Sequence, residues 1–267
     1  MMKSNYWHIS ITDIYASFNR YQLVGTLGWQ DILQRYRRSR LGPFWITIAM
    51  AVMIGAIGFV FGQIFQTNMG EFFPHLAVGL IFWGFIVTTL NESCNGFIEA
   101  EGIIKQLPIP LFVHILRVIW RNDIVLLHNL VILPLVFLII GKGIGWIALL
   151  SFVGFILVLL NLMWISLLVS ILSTRYRDFP QIVASALQVM FYLTPIMWMP
   201  AMLPEWVKGY LLGYNPFYHL LELVRAPLLG SPPSALSWIF CLVMLCVGWF
   251  TVLLVYGRVK LRIAYWL

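Results

Sequence analysis

Charged residues are scarce in this chain. Asp, Glu, Lys and Arg make up only 10% of its 267 residues, whereas 61% are hydrophobic. A soluble domain carries roughly 25% charged residues, so this chain has too little polar surface to be stable in water. The net charge is +7. The basic residues cluster at the ends of apolar runs, which indicates contact with lipid headgroups and argues against a nucleic-acid partner.

The usual sequence signals of enzymes are also missing. There is no GxxxxGK[ST] phosphate loop, no HExxH zinc motif and no GxSxG nucleophile motif, and the five histidines are scattered. Cys94, Cys241 and Cys246 lie in or beside apolar runs without paired spacing. They are therefore interpreted as small buried residues rather than as disulfide partners or metal ligands. Residues 1–28 lack the unbroken apolar core of a signal peptide. The sequence predicts a protein that is not an enzyme and that holds no metal or cofactor of its own.

Long apolar runs are what the chain has in abundance. A transmembrane helix needs about 20 such residues, and six stretches qualify, with both termini placed in the cytoplasm: 44–65, 72–90, 124–140, 144–172, 182–199 and 236–256. Of the 17 basic residues, only Lys142, Lys208 and Arg225 then lie outside, in keeping with the positive-inside rule. The predicted class is an all-α integral membrane protein with six transmembrane helices.

The spans divide the chain into three parts. Residues 1–43 are predicted to form a cytoplasmic N-terminal segment, and residues 257–267 a basic cytoplasmic tail. The transmembrane domain, 44–256, includes a cytoplasmic loop at 95–123 and a periplasmic hairpin at 200–234.

The spans hold few ionisable groups. Ion-coupled pumps usually place such groups inside the membrane, but here only His128 lies clearly within a span. The energy for any transport would then come from a separate subunit. One chain is also small for a transport pathway, which favours a homodimer. Gly58 and Gly62 form a GxxxG pair that is either a dimer face or simply an instance of the glycine common in membrane helices.

Residues 29–40 carry the pattern of an amphipathic helix. Apolar side chains share one face at Trp29, Ile32, Leu33 and Tyr36, and polar side chains share the other at Asp31, Gln34, Arg35 and Arg38. Such a helix is expected to lie on the cytoplasmic leaflet with its arginines toward phosphates. It serves either as a simple anchor or as a lever that also contacts a cytoplasmic partner.

Two cytoplasmic stretches are candidates for contact with an ATPase. Residues 97–107 are compatible with a short helix that Pro108 and Pro110 end, and residues 175–180 form a charged loop. A plain solvated loop and simple headgroup anchoring are the respective alternatives. The candidate coupling residues are Arg37, Arg38, Glu99, Glu101, Ile103, Lys105, Arg175, Arg177 and Asp178.

The predicted outer segment, 200–234, is too apolar for a solvated loop. Asn215 is a good N-cap and Pro216 a good first helical residue, and Pro227 is expected to end the helix. A helix over 216–226 would be roughly 17 Å long, too short for a ~30 Å hydrocarbon core. With residues 206–212 it predicts a re-entrant or interfacial hairpin before the last span. The candidate gate residues are Tyr214, Asn215, Pro216, Glu222 and Arg225.

Aromatic residues are plentiful, with 19 Phe, 12 Trp and 11 Tyr. Many belong to interfacial belts, but some fall well inside the predicted spans. Aromatic rings stack on sugar rings, so an aromatic-lined conduit fits a glycan. For each residue taken alone, packing or lipid contact is the alternative. The candidate pathway residues are Phe59, Trp83, Phe85, Trp164, Phe191 and Tyr192.

Three motifs carry a resemblance to a known family. They are YRRSRLGPFW at 36–45, RYRDF at 175–179, and YNPF at 214–217 followed by ELVR at 222–225. In this order and at these topological places, the sequence resembles the permease subunit of ABC-2 type exporters of bacterial surface polysaccharides. That group exports O-antigen, capsule and teichoic acid, and the resemblance covers almost the whole chain. The LGPFW form at 41–45 looks most like O-antigen permeases.

The resemblance implies a homodimer in the bacterial inner membrane with two separate ATPase subunits, which would bind the ATP and Mg. It implies that the loop after the second span and the amphipathic helix contact the ATPase, and that the hairpin near Asn215 guards the periplasmic exit. The implied cargo is an undecaprenyl-pyrophosphate-linked glycan. The alternatives are export of capsule, teichoic acid or a small lipophilic drug, a membrane enzyme of lipid-linked sugar metabolism, and a passive channel.

Overall fold

The computed structural model describes residues 6–37, 42, 44–143 and 145–267. Within them the chain forms α-helices and two short 3-10 turns and contains no strand. The all-α class is therefore confirmed. The α-helices of the described residues are α1 (Tyr6–Phe18), α2 (Tyr21–Tyr36), α3 (Phe44–Phe65), α4 (Met69–Cys94), α5 (Glu101–Gln106), α6 (Phe112–Leu130), α7 (Ile132–Ile140), α8 (Leu150–Arg175), α9 (Phe179–Leu193), α10 (Glu205–Leu211), α11 (Pro216–Leu228) and α12 (Ala235–Trp266).

Five helical segments are long and apolar enough to cross a membrane. They are α3, α4, the pair α6–α7 (Phe112–Ile140), α8 with its preceding 3-10 turn (Trp146–Arg175), and α12. The shortest has 22 residues, and about 20 helical residues cover a ~30 Å hydrocarbon core. The chain is a multi-pass membrane protein.

The fifth predicted span, 182–199, is the exception to the six-span prediction. Its helix, α9, has 15 residues and is therefore only about 22 Å long. Thr194 ends it in an extended conformation, with φ −94° and ψ 135°. Pro195 follows, and a residue before proline is disfavoured in the α region. The described residues thus contain five full-length spans and one shorter apolar helix.

The third span begins much earlier than predicted. Residues 112–123 were expected to belong to a loop, but α6 is helical from Phe112 and leads into α7 after a break at Val131. The predicted cytoplasmic loop, 95–123, includes Arg117, Arg121 and Asp123. In the structure both arginines find carboxylate partners on neighbouring helices, so the helix includes them. The non-helical part of the predicted loop is correspondingly shorter.

Helices α4, α8 and α12 also extend beyond the apolar runs that predicted them. Most of the predicted tail, 257–267, is a continuation of α12 to Trp266. Lys and Arg are good helix formers, so the basic residues there do not end the helix.

Helix α2 includes residues 29–36 of the predicted amphipathic stretch, 29–40. Ile32 is buried, whereas Trp29 and Leu33 are more than half exposed. Asp31, predicted to face outward, lies inside and pairs with Arg117. Asp31 thus departs from the predicted polar face, because a carboxylate with an arginine partner is stable on an inner face, whereas Gln34 and Arg35 are exposed. Arg37 is described and exposed, and Arg38 lies outside the described residues.

Helix α4 is the centre of the bundle. In its most apolar stretch 78% of the residues are buried, against 11% for α3. Gly58 and Gly62 of α3 face the side chains of Phe73 and Met69 on α4, with no room for a Cβ atom at either glycine. The GxxxG pair thus packs two helices of one chain together, and the dimer-face interpretation of it is wrong. Cys94 and Cys241 are buried as predicted, whereas Cys246 is exposed on α12.

Candidate functional site

Predicted functional residues lie at both ends of the bundle. One end is formed by residues 194–199 together with α10 and α11, and is called the hairpin end here. The other is formed by α5 and residues 175–180, and is called the loop end. Helix α4 connects them, with His75 near the hairpin end and Glu92 near the loop end.

Asn215 is the N-cap of α11, as predicted. Its side-chain oxygen accepts hydrogen bonds from the backbone N–H groups of Phe217 and Tyr218, at 3.0 and 3.1 Å. Its amide nitrogen donates to Thr194 Oγ1 at 3.0 Å and, more weakly, to the Leu193 carbonyl at 3.4 Å. One buried side chain therefore starts α11 and also ties it to the end of α9.

Pro216 follows as the first residue of α11, as predicted. The helix does not end at Pro227, which lies inside it, one residue before the last. With 13 residues, α11 is about 20 Å long. It is still too short to cross a membrane, but the predicted end at Pro227 is wrong. A proline at the C-terminal end of a helix loses only one backbone hydrogen bond, which this position tolerates.

Arg225 is buried at the hairpin end. Its side chain is 2% exposed. The guanidinium donates to the Pro195 carbonyl at 2.5 Å and to Glu222 Oε2 at 3.2 Å, and lies 3.3 Å from His75 Nε2. The same imidazole nitrogen is 3.2 Å from the carbonyls of Pro195 and Trp198. A buried charge must be paired and hydrogen-bonded to be tolerated. The Glu222–Arg225 part of the ELVR motif thus joins α11, α4 and the segment after α9.

His219 connects α11 to the last helix. Its Nδ1 lies 2.9 Å from Ser237 Oγ, its Nε2 lies 3.1 Å from the Gly213 carbonyl, and its ring stacks on Phe240. Burial lowers the pKa of the His219 imidazole below its ordinary value. The ring is thus a neutral hydrogen-bonding connector. The sequence analysis did not identify this role.

Tyr214 differs from the other predicted gate residues because its side chain is 76% exposed. Trp206 and Tyr210 on α10 are also more than two-thirds exposed. Together these rings form an exposed aromatic surface, of the kind found where membrane proteins meet the headgroup region.

Helix α5 confirms that a short helix lies within 97–107, although it is limited to Glu101–Gln106. None of its residues is buried, and Glu101 pairs with Lys105 at 2.6 Å. Ile98 and Leu107 flank it as exposed apolar side chains. Glu99 is exposed and Ile103 is half-buried. The segment is therefore a projecting surface with both charged and apolar groups, which fits contact with another protein.

The loop after α8 lies beside α5. Arg175, Arg177 and Asp178 are all exposed, and the Arg175 guanidinium lies 5.5 Å from the ring of Trp266 on α12. A cavity of about 250 Å³ is lined by Glu101 and Arg177 among others. The structure thus brings the two predicted coupling stretches together around one cavity.

An ion-pair network at the same end was missed by the sequence analysis. Glu92 accepts hydrogen bonds from Arg35 at 2.7 Å, from Arg121 at 2.6 Å and from Asn122 at 2.8 Å. Asp31 pairs with Arg121 at 3.1 Å and with Arg117. These contacts connect α2 to α4 and α6. The sequence does contain carboxylates and arginines among otherwise apolar helices, but sequence spacing does not reveal which of them pair.

A second buried carboxylate, that of Asp13, binds α1 to α6 and α12. Asp13 accepts hydrogen bonds from the backbone N–H groups of Leu111 and Phe112, at 3.3 and 3.1 Å, and from the Tyr256 hydroxyl at 2.6 Å. Lys260 Nζ lies 2.7 Å from it. Asp13 therefore caps α6 directly after the α5 segment and ties both to α12.

The six predicted pathway aromatics occupy different environments. Phe59 on α3 and Tyr192 on α9 are more than 60% exposed, whereas Trp83 and Phe85 on α4 are buried. Trp83 contacts Phe191, with 5.9 Å between ring centroids, and Phe191 contacts Tyr192 at 5.4 Å. These three rings form a row from the core to the exposed face of α9. Two others pack internally: the Trp164 indole donates to Asn161, and the Phe85 ring contacts Phe155.

Known proteins match this chain over most of its length. The family model of the ABC-2 type transporter matches residues 22–229, from α2 to the end of α11. An O-antigen export system permease protein RfbA from Klebsiella pneumoniae is 24% identical over 254 residues, covering 91% of this chain and 94% of the relative.

Two further relatives carry the same name. One from Klebsiella pneumoniae is 23% identical over 75% of this chain and 78% of its own length. One from Myxococcus xanthus is 23% identical over 76% of this chain and 79% of its own length. The family match covers most of the chain and includes the loop end and the hairpin end.

Proposed function

We propose that this chain, which belongs to the ABC-2 type transporter family, is the membrane subunit of an ATP-driven exporter of an undecaprenyl-linked polysaccharide, of the O-antigen class, across the bacterial inner membrane. The observation that carries the proposal is the similarity to an O-antigen export permease over 91% of this chain and 94% of that protein. The chain is a transporter subunit and not an enzyme, so the energy must come from elsewhere.

ATP and Mg would be bound by a separate ATPase subunit at the loop end. Contact there is supported by the projecting α5 and by the cavity that Glu101 and Arg177 share. The Asp31–Glu92 network joins α4, which leads into the α5 segment, to α2 and α6. A displacement of α5 by the ATPase would therefore move several spans together.

The active assembly would be a homodimer with two ATPase subunits. The exposed apolar faces of α3 and α9 support this arrangement, since both are poorly covered within one chain. Phe59 and Ile64 on α3 and Val189 and Tyr192 on α9 are each more than half exposed. In the dimer these faces would meet the second copy or line the glycan pathway, where exposed rings would stack on sugars.

The hairpin end would cover the periplasmic exit. Helices α10 and α11 are too short to span, so they would lie at the outer surface or dip into it. Asn215 and the Glu222–Arg225 pair hold α11 against α9 and α4. Movement of the hairpin would thus accompany movement of these two helices.

Deletion of the gene in its native bacterium tests the proposal. We expect loss of the long surface polysaccharide on gels of extracted lipopolysaccharide and accumulation of undecaprenyl-linked polymer inside the cell. A plasmid copy of the gene should reverse both changes. Loss of capsule or teichoic acid alone would assign the cargo to another surface polymer. Unchanged surface glycans with altered drug susceptibility would contradict the proposal in favour of a drug exporter.

A further inference from the structure

Asp123 is the one acidic residue of α6, and it stands apart from the ion-pair network beside it. Its Oδ1 is buried and has no hydrogen-bond partner among the described residues. The nearby arginines, Arg117 and Arg121, are already engaged by Asp31 and Glu92. An unpaired carboxylate at membrane depth is costly, so such a group usually marks a functional site. Asp123 therefore has room for a ligand that provides N–H or O–H donors.

Two apolar cavities meet at Asp123. One, of about 340 Å³, follows α6, α7 and α8 and is lined by Leu126, Leu130, Leu133 and Phe155 among others. The second, of about 430 Å³, is lined by Phe18, Tyr21 and Trp120 among others, where the turn between α1 and α2 meets α6. Asp123 lines both cavities. The two cavities are therefore adjacent at Asp123, which is the one acidic group that lines either of them, and we treat them as one groove.

The level of Asp123 along the membrane normal follows from its neighbour Arg121. Arg121 pairs with Asp31 of α2, and we take α2 to lie in the headgroup region, as interfacial amphipathic helices do. Asp123 is two residues further along α6, so it lies about 3 Å deeper and about 200° around the helix. The distance from Asp123 to Leu133 is about 15 Å along the helices. That equals roughly half of a ~30 Å hydrocarbon core, the thickness of one leaflet.

We propose that this groove binds a phospholipid with a primary ammonium headgroup, a phosphatidylethanolamine. The ammonium donates to the Asp123 carboxylate, and one acyl chain lies along Leu126, Leu130 and Leu133. The carboxylate repels the net negative headgroup of phosphatidylglycerol, which has no compensating cation, and the pyrophosphate of a polyprenyl-linked glycan. A choline headgroup carries a positive charge but has no N–H group to satisfy Oδ1. The site is thus separate from any glycan pathway, and the inference does not depend on the proposed cargo.

Native mass spectrometry of the full-length chain in mild detergent tests the site. The probes are phosphatidylethanolamine, phosphatidylcholine and phosphatidylglycerol with identical acyl chains. A charge-assisted hydrogen bond in a partly buried site predicts at least about tenfold tighter binding of the ethanolamine lipid. Asp123→Asn has the same shape without the charge, so the preference should fall to about twofold or less. Glu205→Gln, at a carboxylate that is 88% exposed on α10, is the matched control and should keep the preference.

A second measurement uses the unmodified protein. A phosphatidylethanolamine with a photoreactive acyl chain should crosslink to peptides from 112–140 and 150–175 rather than to the exposed face of α3. Equal binding of the three lipids, an unchanged preference in Asp123→Asn, or labelling concentrated on α3 would each overturn the proposal. Leu127 and Phe152 are both exposed at the groove. If Leu127→Cys or Phe152→Cys, each combined with Cys246→Ser, yields disulfide-linked dimers in membranes, a second copy of the chain occupies the groove and the lipid site is refuted.

Discussion

Replacing Asn215 with alanine removes two contacts of one side chain: the N-cap of α11 and the hydrogen bond that joins α11 to the end of α9. The variant loses the cap on the N–H groups of Phe217 and Tyr218 and the bond to Thr194. A lost cap costs about 1 kcal/mol, and a lost neutral hydrogen bond about 1 kcal/mol. Together, about 2 kcal/mol would shift the equilibrium between attached and detached hairpin by about 30-fold. Such a change loosens the hairpin without unfolding the whole membrane domain.

We therefore expect Asn215→Ala to reach the membrane at normal levels but to export less glycan, with lipid-linked polymer accumulating inside. The assay compares surface polysaccharide with the amount of membrane-inserted protein. Pro216→Ala, which removes the preorganised first residue of α11, should have a weaker effect in the same direction.

Two variants separate the cap from the connection. Asn215→Ser keeps a capping oxygen but is too short to reach Thr194, and Thr194→Val removes only the other partner of that bond. Both should therefore lose about 1 kcal/mol and share the export defect. Wild-type export by Asn215→Ala and Pro216→Ala would refute the gate, and would leave the hairpin as a surface anchor. A Thr194→Val variant that exports normally while Asn215→Ala does not would assign the effect to the cap alone.

Three further predictions concern the loop end. The purified chain, free of any partner, should show no ATP hydrolysis above background, and measurable hydrolysis would refute the assignment of ATP to another subunit. Cysteines placed along 99–107 should crosslink to the ATPase, whereas capture only through 175–179 would move the contact to the later loop. Glu92→Gln weakens hydrogen bonds to Arg35 and Arg121 and should cost about 2 kcal/mol. Its thermal unfolding in detergent should occur at lower temperature, and an unchanged midpoint would contradict the importance of the network.

Local sequence preferences predicted the hairpin end well. Asn215 and Pro216 start α11 because capping and the first-turn preference for proline depend only on neighbouring residues. The burial of Arg225 was not predictable in the same way. It depends on His75, which is 150 positions away in the chain, and on backbone carbonyls exposed by the end of α9.

The errors in the spans have a related physical cause. Arg117 and Arg121 fall in the predicted loop and Asp31 on the predicted polar face, whereas in the structure all three pair between helices. Periodicity shows that a helix has two faces, but which face is buried depends on charges that other helices supply. In α9, by contrast, the Thr194-Pro195 sequence itself favours an early end of the helix, although apolar residues follow it.

In the proposed function, this chain and a separate ATPase move a lipid-linked glycan across a membrane at the expense of ATP. The most direct test of this function reconstitutes both subunits in liposomes with an undecaprenyl-linked glycan in the outer leaflet. A membrane-impermeant, glycan-cleaving enzyme added outside then measures how much glycan has become protected. The account predicts that protection increases with ATP and remains at background with a non-hydrolysable analogue or without the ATPase. Equal protection in the absence of ATP, or none in its presence while hydrolysis proceeds, would contradict it.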